Sequence, residues 1–206
     1  MPVIVVGGQS RNLGKTSVVA GLISALPAAW TAVKITQYGH GICSANGAPC
    51  DCATADHSWA ITEERDPAGR ADTCRFLAAG ACRSLWVRTR QGMLAEAMPA
   101  LRAHLQAAAN VIIESNSVLQ FLRPDLYLTV LDYSTADFKP SALHFLDRAD
   151  AVILPPHSAP PAWDGVSLKL FAGKPQFVVR PPQFVTPELL DFVRAKIGNS
   201  GGSTGL

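Results

Sequence analysis

Residues 3–6 (VIVV) run directly into GGQSRNLGKTS at 7–17, and this junction restricts the chain more than any other stretch. A β-branched apolar run of that length reads as a buried strand. The glycines permit a tight turn, and a helical pattern starts near Gly14. Strand, glycine loop and helix together place several backbone N–H groups at a helix N-terminus. Their unpaired donors and the helix dipole suit a phosphate. In this reading Gly8, Gln9, Ser10, Arg11, Asn12, Leu13, Gly14, Lys15, Thr16 and Ser17 form the phosphate loop. Lys15 reaches the β- and γ-phosphates of a nucleotide, and the Thr16 hydroxyl ligates Mg²⁺. The usual loop has four residues between its glycines, whereas Gly8 and Gly14 have five. Arg11 reads equally as a phosphate contact and as a solvated side chain.

Further apolar runs at 31–35, 84–87, 110–114, 126–131, 151–154 and 176–179 alternate with helical patterns at 14–25, 71–80, 91–108, 140–148 and 187–197. Short runs that are apolar throughout mark strands of a parallel sheet covered on both faces. Their alternation with helices implies right-handed crossovers. The expected fold is therefore α/β: a three-layer P-loop NTPase architecture whose mostly parallel sheet has about seven strands flanked by helices. Pro99 predicts a kink or a late start in the third helix. Residues 1–197 read as a single domain, and the Gly/Ser-rich 198–206 as a disordered tail. A stretch at 38–70, rich in Gly, Cys and Asp and lacking periodicity, reads as an insertion loop, and loops that long are usually functional.

Charged residues make up 17% of the chain and the net charge is +2, which gives no nucleic-acid footprint. Trp30, Trp59, Trp86 and Trp163 are not interleaved with basic residues, so no single-strand stacking platform is expected. No apolar run is long enough to cross a membrane. The opening PVIVVGG lacks the basic segment and cleavage pattern of a signal peptide, so a cytoplasmic location is expected.

Glu114 closes the most apolar run and is followed by the polar SNS. Ligands of open α/β sheets bind at strand carboxyl ends, so Glu114 is the expected Mg²⁺ carboxylate, with Asp66 and Asp72 as rivals. Asp72 also reads as a helix cap. Within 39–57, Cys43, Cys50 and Cys52 form C-x6-C-x-C, and His57 follows. Three thiolates and an imidazole make a tetrahedral zinc set. Three thiolates with an outside ligand could hold an iron–sulfur cluster instead. The spacing is not that of the standard fingers, and three free thiols are the plainer alternative. Cys74 and Cys82 read as small core hydrophobes.

Several segments resemble known families. GGQSRNLGKTSVV resembles the phosphate loops of the dethiobiotin synthetase and cobyric acid synthase families, which use the longer spacing. AVKITQ at 32–37 is similar to their strand-two lysine segment, which implies that Lys34 lies near the phosphates or a second substrate. ADTCRFLAAGA at 71–81 resembles the Lys-Asp-Ser-x-Arg-His-x-x-Ala-Gly-Ala segment of the molybdopterin-guanine dinucleotide biosynthesis protein B family. Asp72, Thr73, Arg75 and Ala79-Gly80-Ala81 match it, while Ala71 and Phe76 depart from its Lys and His. NVIIESNS and AGKPQFVV resemble later strands of the same family. The resemblance implies a Mg²⁺-dependent enzyme that hydrolyses or transfers the γ-phosphoryl group of ATP or GTP during assembly of a cofactor or metal centre. Lys15, Lys34 and Glu114 would carry the chemistry. It also implies a homodimer and an unidentified small-molecule or protein client. A dethiobiotin-synthetase-type ligase and a non-catalytic nucleotide switch are the alternatives. No Asn-Lys-x-Asp sequence is present to decide between ATP and GTP.

Overall fold

A computed structural model of the chain describes residues 1–38 and 58–198. Strand β1 (Val3–Gly8) is buried along its whole length, as its unbroken apolar sequence requires. It pairs in parallel with β5 (Asn110–Glu114) on one side and β6 (Leu126–Val130) on the other. The sheet extends outward through β2 (Trp30–Tyr38), β4 (Arg83–Arg90) and β3 (Trp59–Glu64) in one direction. In the other direction it continues through β7 (Ala151–Leu154) and β8 (Gln176–Val178). Its eight strands lie in the order β3-β4-β2-β5-β1-β6-β7-β8. All pairings are parallel except β3 with β4.

Alternate residues of the inner strands feed cores on opposite faces of the sheet. On one face Ile4, Val6, Ile112 and Leu128 pack against Val18, Val19, Leu22 and Ile23 of α1 (Lys15–Ala25). The same core takes Phe76 of α2 (Asp72–Ala78) and Leu189 and Val193 of α5 (Pro187–Gly198). On the other face Val5, Val33, Leu85, Val87 and Ile113 pack against Leu94, Met98, Leu101 and Leu105 of α3 (Leu94–Leu105). Helix, sheet and helix thus form three layers, the α/β architecture expected from the alternating pattern.

The details differ in places. The sheet has eight strands where the apolar runs mark about seven, because β3 falls within the aperiodic 38–70 stretch. Its sequence, WAITEE, is half-exposed and carries two glutamates, as edge strands do. The expected helix at 140–148 is a single turn, α4 (Pro140–Leu143), followed by a 3₁₀ turn at Leu146–Arg148. Helix α3 starts at Leu94, just after Gly92 at φ 85°, and runs through Pro99. Cys74 is buried as expected, but Cys82 is exposed at the start of β4, where its Sγ donates to the Trp30 carbonyl at 3.0 Å. The expected tail lies outside the described residues apart from Gly198, which ends α5. Among the described residues no helix is long and apolar enough to cross a membrane.

Candidate functional site

The glycine loop leaves β1 at the centre of the sheet, where backbone must approach backbone and side chain closely. A Cβ on Gly7 would lie 2.2 Å from Asn116 Oδ1, and one on Gly8 would lie 2.8 Å from the Val130 carbonyl. Only glycine fits such approaches. Asn116, two residues beyond Glu114, holds Gly8 from both sides. Its Oδ1 accepts from the Gly8 N–H and its Nδ2 donates to the Gly8 carbonyl, both at 2.9 Å.

Gln9, fully buried, ties the loop to the segment that follows β6. Its Nε2 donates to the Thr135 carbonyl at 2.8 Å and the Asp132 carbonyl at 3.1 Å, and its Oε1 accepts from the Asp132 N–H at 2.7 Å. The Ser10 hydroxyl bonds to Asp137. Arg11 and Asn12 are exposed at the tip, Asn12 with φ 59°, a left-handed conformation that asparagine tolerates. Gly14 follows at φ 88° and precedes α1. No side chain caps that N-terminus and no acidic residue occupies its first turn. The first N–H groups of α1 are therefore left for another partner.

Beside this helix start the ionic side chains form a line. The Thr16 hydroxyl donates to Glu114 Oε2 at 2.8 Å. Lys34 Nζ donates to Glu114 Oε1 at 2.5 Å and also meets Asp72 Oδ2 at 2.7 Å. Glu114 is at the end of β5 and Lys34 stands opposite it on β2. Residues from α1, β5, β2 and α2 are brought together in this way. Of the two rival carboxylates, Asp72 joins the line, while Asp66 accepts from the Ala68 N–H within its own turn.

Lys15 turns back toward the loop, its Nζ 2.5 Å from the Ser10 carbonyl. Burial lowers its pKa to about 8, against the pull of Glu114, and the nearby Lys139 and Lys34 push it the same way as burial. Lys139 was not singled out by the sequence, where it sits between Phe138 and Pro140 in no recognisable pattern. Its N–H donates to the Gln9 carbonyl at 2.8 Å, which fixes its backbone beside the loop. Burial, then the charge of Arg11, lowers its pKa also. Arg11, Lys15, Lys34, Lys139 and Glu114 all line one cleft of about 910 Å³. Asn116 was the other unforeseen contributor; the polar SNS after β5 was its only trace. Cys43, Cys50, Cys52 and His57 lie outside the described residues. Among the described residues no three His, Cys, Asp or Glu side chains cluster as a metal set.

A mostly parallel sheet with helices on both faces, a strand–glycine loop–helix junction at its centre and a strand-end carboxylate beside that junction make a three-layer α/β architecture. No protein-family model matches the chain, and a search of curated proteins finds no match. Among solved structures the chain is similar to the crystal structure of HypB from Helicobacter pylori in complex with nickel, with 15% identity and a TM-score of 0.48 over 98% of this chain and 91% of that one.

Proposed function

We propose that the protein is a Mg²⁺-dependent P-loop nucleotide enzyme that hydrolyses or transfers the γ-phosphoryl group of ATP or GTP. The observation that carries this reading is the line Thr16–Glu114–Lys34–Asp72 beside the uncapped start of α1. Backbone N–H groups of residues 8–17 and the α1 dipole bind the phosphates. Lys15 adds the positive charge that follows them toward the γ-phosphate. Lys139, which lines the same cleft, is a second lysine for the same charge. Positive groups placed in advance where charge develops lower the barrier without reorganising during the reaction.

Mg²⁺ takes oxygen ligands, and a buried threonine hydroxyl 2.8 Å from a buried carboxylate is a donor set that fits it. Thr16 and Glu114 would hold the ion, which when bound neutralises charge on the phosphate oxygens. Lys34, between Glu114 and Asp72, faces the transferred phosphoryl group or a second substrate. The resemblance of 71–81 to the molybdopterin-guanine dinucleotide protein B family supports a role in assembling a cofactor or metal centre. The set Cys43, Cys50, Cys52 and His57 is proposed as a zinc or iron–sulfur site on its spacing alone. Elemental analysis of the purified chain beside a triple serine variant tests that part.

The central test is nucleotide binding and turnover with Mg²⁺. Lys15→Ala is expected to weaken binding about a hundredfold, and Glu114→Gln to slow turnover about a hundredfold while the nucleotide still binds. Wild-type binding and turnover in both variants would sink the proposal.

A further inference from the structure

Glu114 is only 3% exposed, and a carboxylate at that depth is stable only when its charge is matched and hydrogen-bonded. Two elements do this. The Thr16 hydroxyl at the start of α1 donates to Oε2. Lys34, the cross-strand neighbour of Glu114 on β2, donates to Oε1 at 2.5 Å. Both oxygens of the carboxylate read as the Mg²⁺ ligand are therefore engaged, one of them by an ammonium group. Lys15, the other lysine close to Glu114, is turned away to the Ser10 carbonyl. Lys34 thus stands where a divalent cation would have to compete with it.

The same ammonium has a second partner. Asp72 Oδ2 lies 2.7 Å from Lys34 Nζ, and the Asp72 side chain is 39% exposed. Asp72 also meets Arg75 at 3.9 Å. Lys34 therefore touches one buried carboxylate and one that solvent reaches. A recess of about 160 Å³ borders it, lined by Lys34, Thr36, Ala71, Asp72, Thr73 and Trp86. Glu114 is not among the described residues that line this recess. A lysine carries its charge on a flexible stem. The amine can leave Glu114, stay on Asp72 and enter the recess without its own charge ever losing a partner. A lysine that only neutralised Glu114 would need neither the second carboxylate nor the room. While it stays, Lys34 cancels half of the negative charge that Glu114 and Asp72 would offer a free divalent cation, and like charges at so short a range repel.

We propose that Lys34 holds the place of the divalent cation in the empty cleft and keeps the free ion out. With a nucleotide on the loop, the phosphates add the negative charge that shifts this balance. Lys34 then yields Glu114, keeps Asp72 and is left facing the phosphoryl group. The cleft accordingly takes Mg²⁺ together with a nucleotide rather than as the free ion. The inference rests on the reading of Thr16 and Glu114 as the Mg²⁺ ligands, and it makes Lys34 a positioning residue for that ion.

The test is Mn²⁺ binding to the full, nucleotide-free chain, read from the loss of the free-ion electron paramagnetic resonance signal. Lys34→Met and Lys34→Gln are expected to bind Mn²⁺ at least about tenfold more tightly than the wild type. Adding Glu114→Gln to either should remove the gain, which separates this seat from any other metal site in the chain. The melting temperature is a second readout that tolerates a destabilised variant: Mn²⁺ should raise it in both Lys34 variants and leave it unchanged in the wild type. Equal Mn²⁺ affinities and equal melting shifts in the wild type and both variants overturn the inference, as does a gain that survives Glu114→Gln. Binding of a non-hydrolysable ATP or GTP analogue is measured separately. If no analogue binds while the Lys34 variants gain Mn²⁺, Lys34 stands as the placeholder and the nucleotide reading fails. If an analogue binds and the Mn²⁺ affinities are equal, the placeholder fails alone.

Discussion

The centre of the sheet and its β2–β4–β3 wing are built from the same kind of strand but differ in their faces. β1 buries apolar side chains on both sides, so it is held by two cores at once. Beyond Trp30 and Ala32 of β2, which still join the α1 core, β2 and β4 bury them against α3 and turn Lys34, Thr36, Trp86 and Arg88 toward the cleft. The centre therefore carries the stability of the fold, and the wing gives up part of its own for a charged surface. The glycine loop sits where these two regimes meet, rooted in the first and open to the second.

Substitutions can break or sharpen that contrast. The largest effect is expected at the centre. Ile4→Ala opens a cavity in a fully buried position and should cost about 3–4 kcal/mol in a denaturant titration. A loss under about 1 kcal/mol would mean that the centre is not the stabilising part. Asn116→Ala comes next. It leaves the Gly8 N–H and carbonyl without their side-chain partner and should cost about 2 kcal/mol, read by the same titration.

Lys15→Met should work in the opposite direction. The folded pKa of Lys15, about 8, lies below its ordinary 10.5. Between those values the unfolded chain holds a proton that the folded chain has released, so stability rises with pH across that window. Below about pH 8 both states are charged and the cost of burying the charge is present in full. The methionine removes that cost. It should stabilise the nucleotide-free chain by about 1 kcal/mol at neutral pH, with the gain shrinking toward pH 10, while nucleotide binding is lost. Thermal melts at several pH values check the sign. The smallest effect belongs to the wing's outer edge. There Glu63 and Arg83 pair at 2.8 Å between β3 and β4 on an exposed surface. Glu63→Gln should change stability by less than about 0.5 kcal/mol, and less still in high salt.

The same contrast explains what could be read from the chain beforehand. The central strands were legible because two-sided burial writes an unbroken apolar run, as in VIVV and NVIIE. The turn from β1 into α1 was legible because Gly14, at φ 88° just before the helix, and the Lys15-Thr16 that follow it mark a strand–loop–helix junction. β3 was not, since an edge strand ending in Thr62, Glu63 and Glu64 has no such run. Asn116 and Lys139 were hidden for another reason. Asn116 reaches Gly8 from just past β5 and Lys139 reaches Gln9 from the start of α4, and no local spacing records a contact across more than a hundred residues. Cys82 departs from its expected place because cysteine is usually a small buried hydrophobe, whereas here the residue is exposed and its thiol donates to the Trp30 carbonyl.

The buried Gln9 amide carries a consequence for engineering. It satisfies itself on Asp132 and Thr135, and Ser10 on Asp137, all from a segment more than a hundred residues away. The loop is thus not a portable cassette. Grafted as residues 7–17 onto another strand–helix junction, it would bury an amide with nothing to bond, at a cost of about 1–3 kcal/mol. Donor and anchor would have to be transplanted together, and any redesign of the five-residue spacing must begin at 132–139 rather than at the glycines.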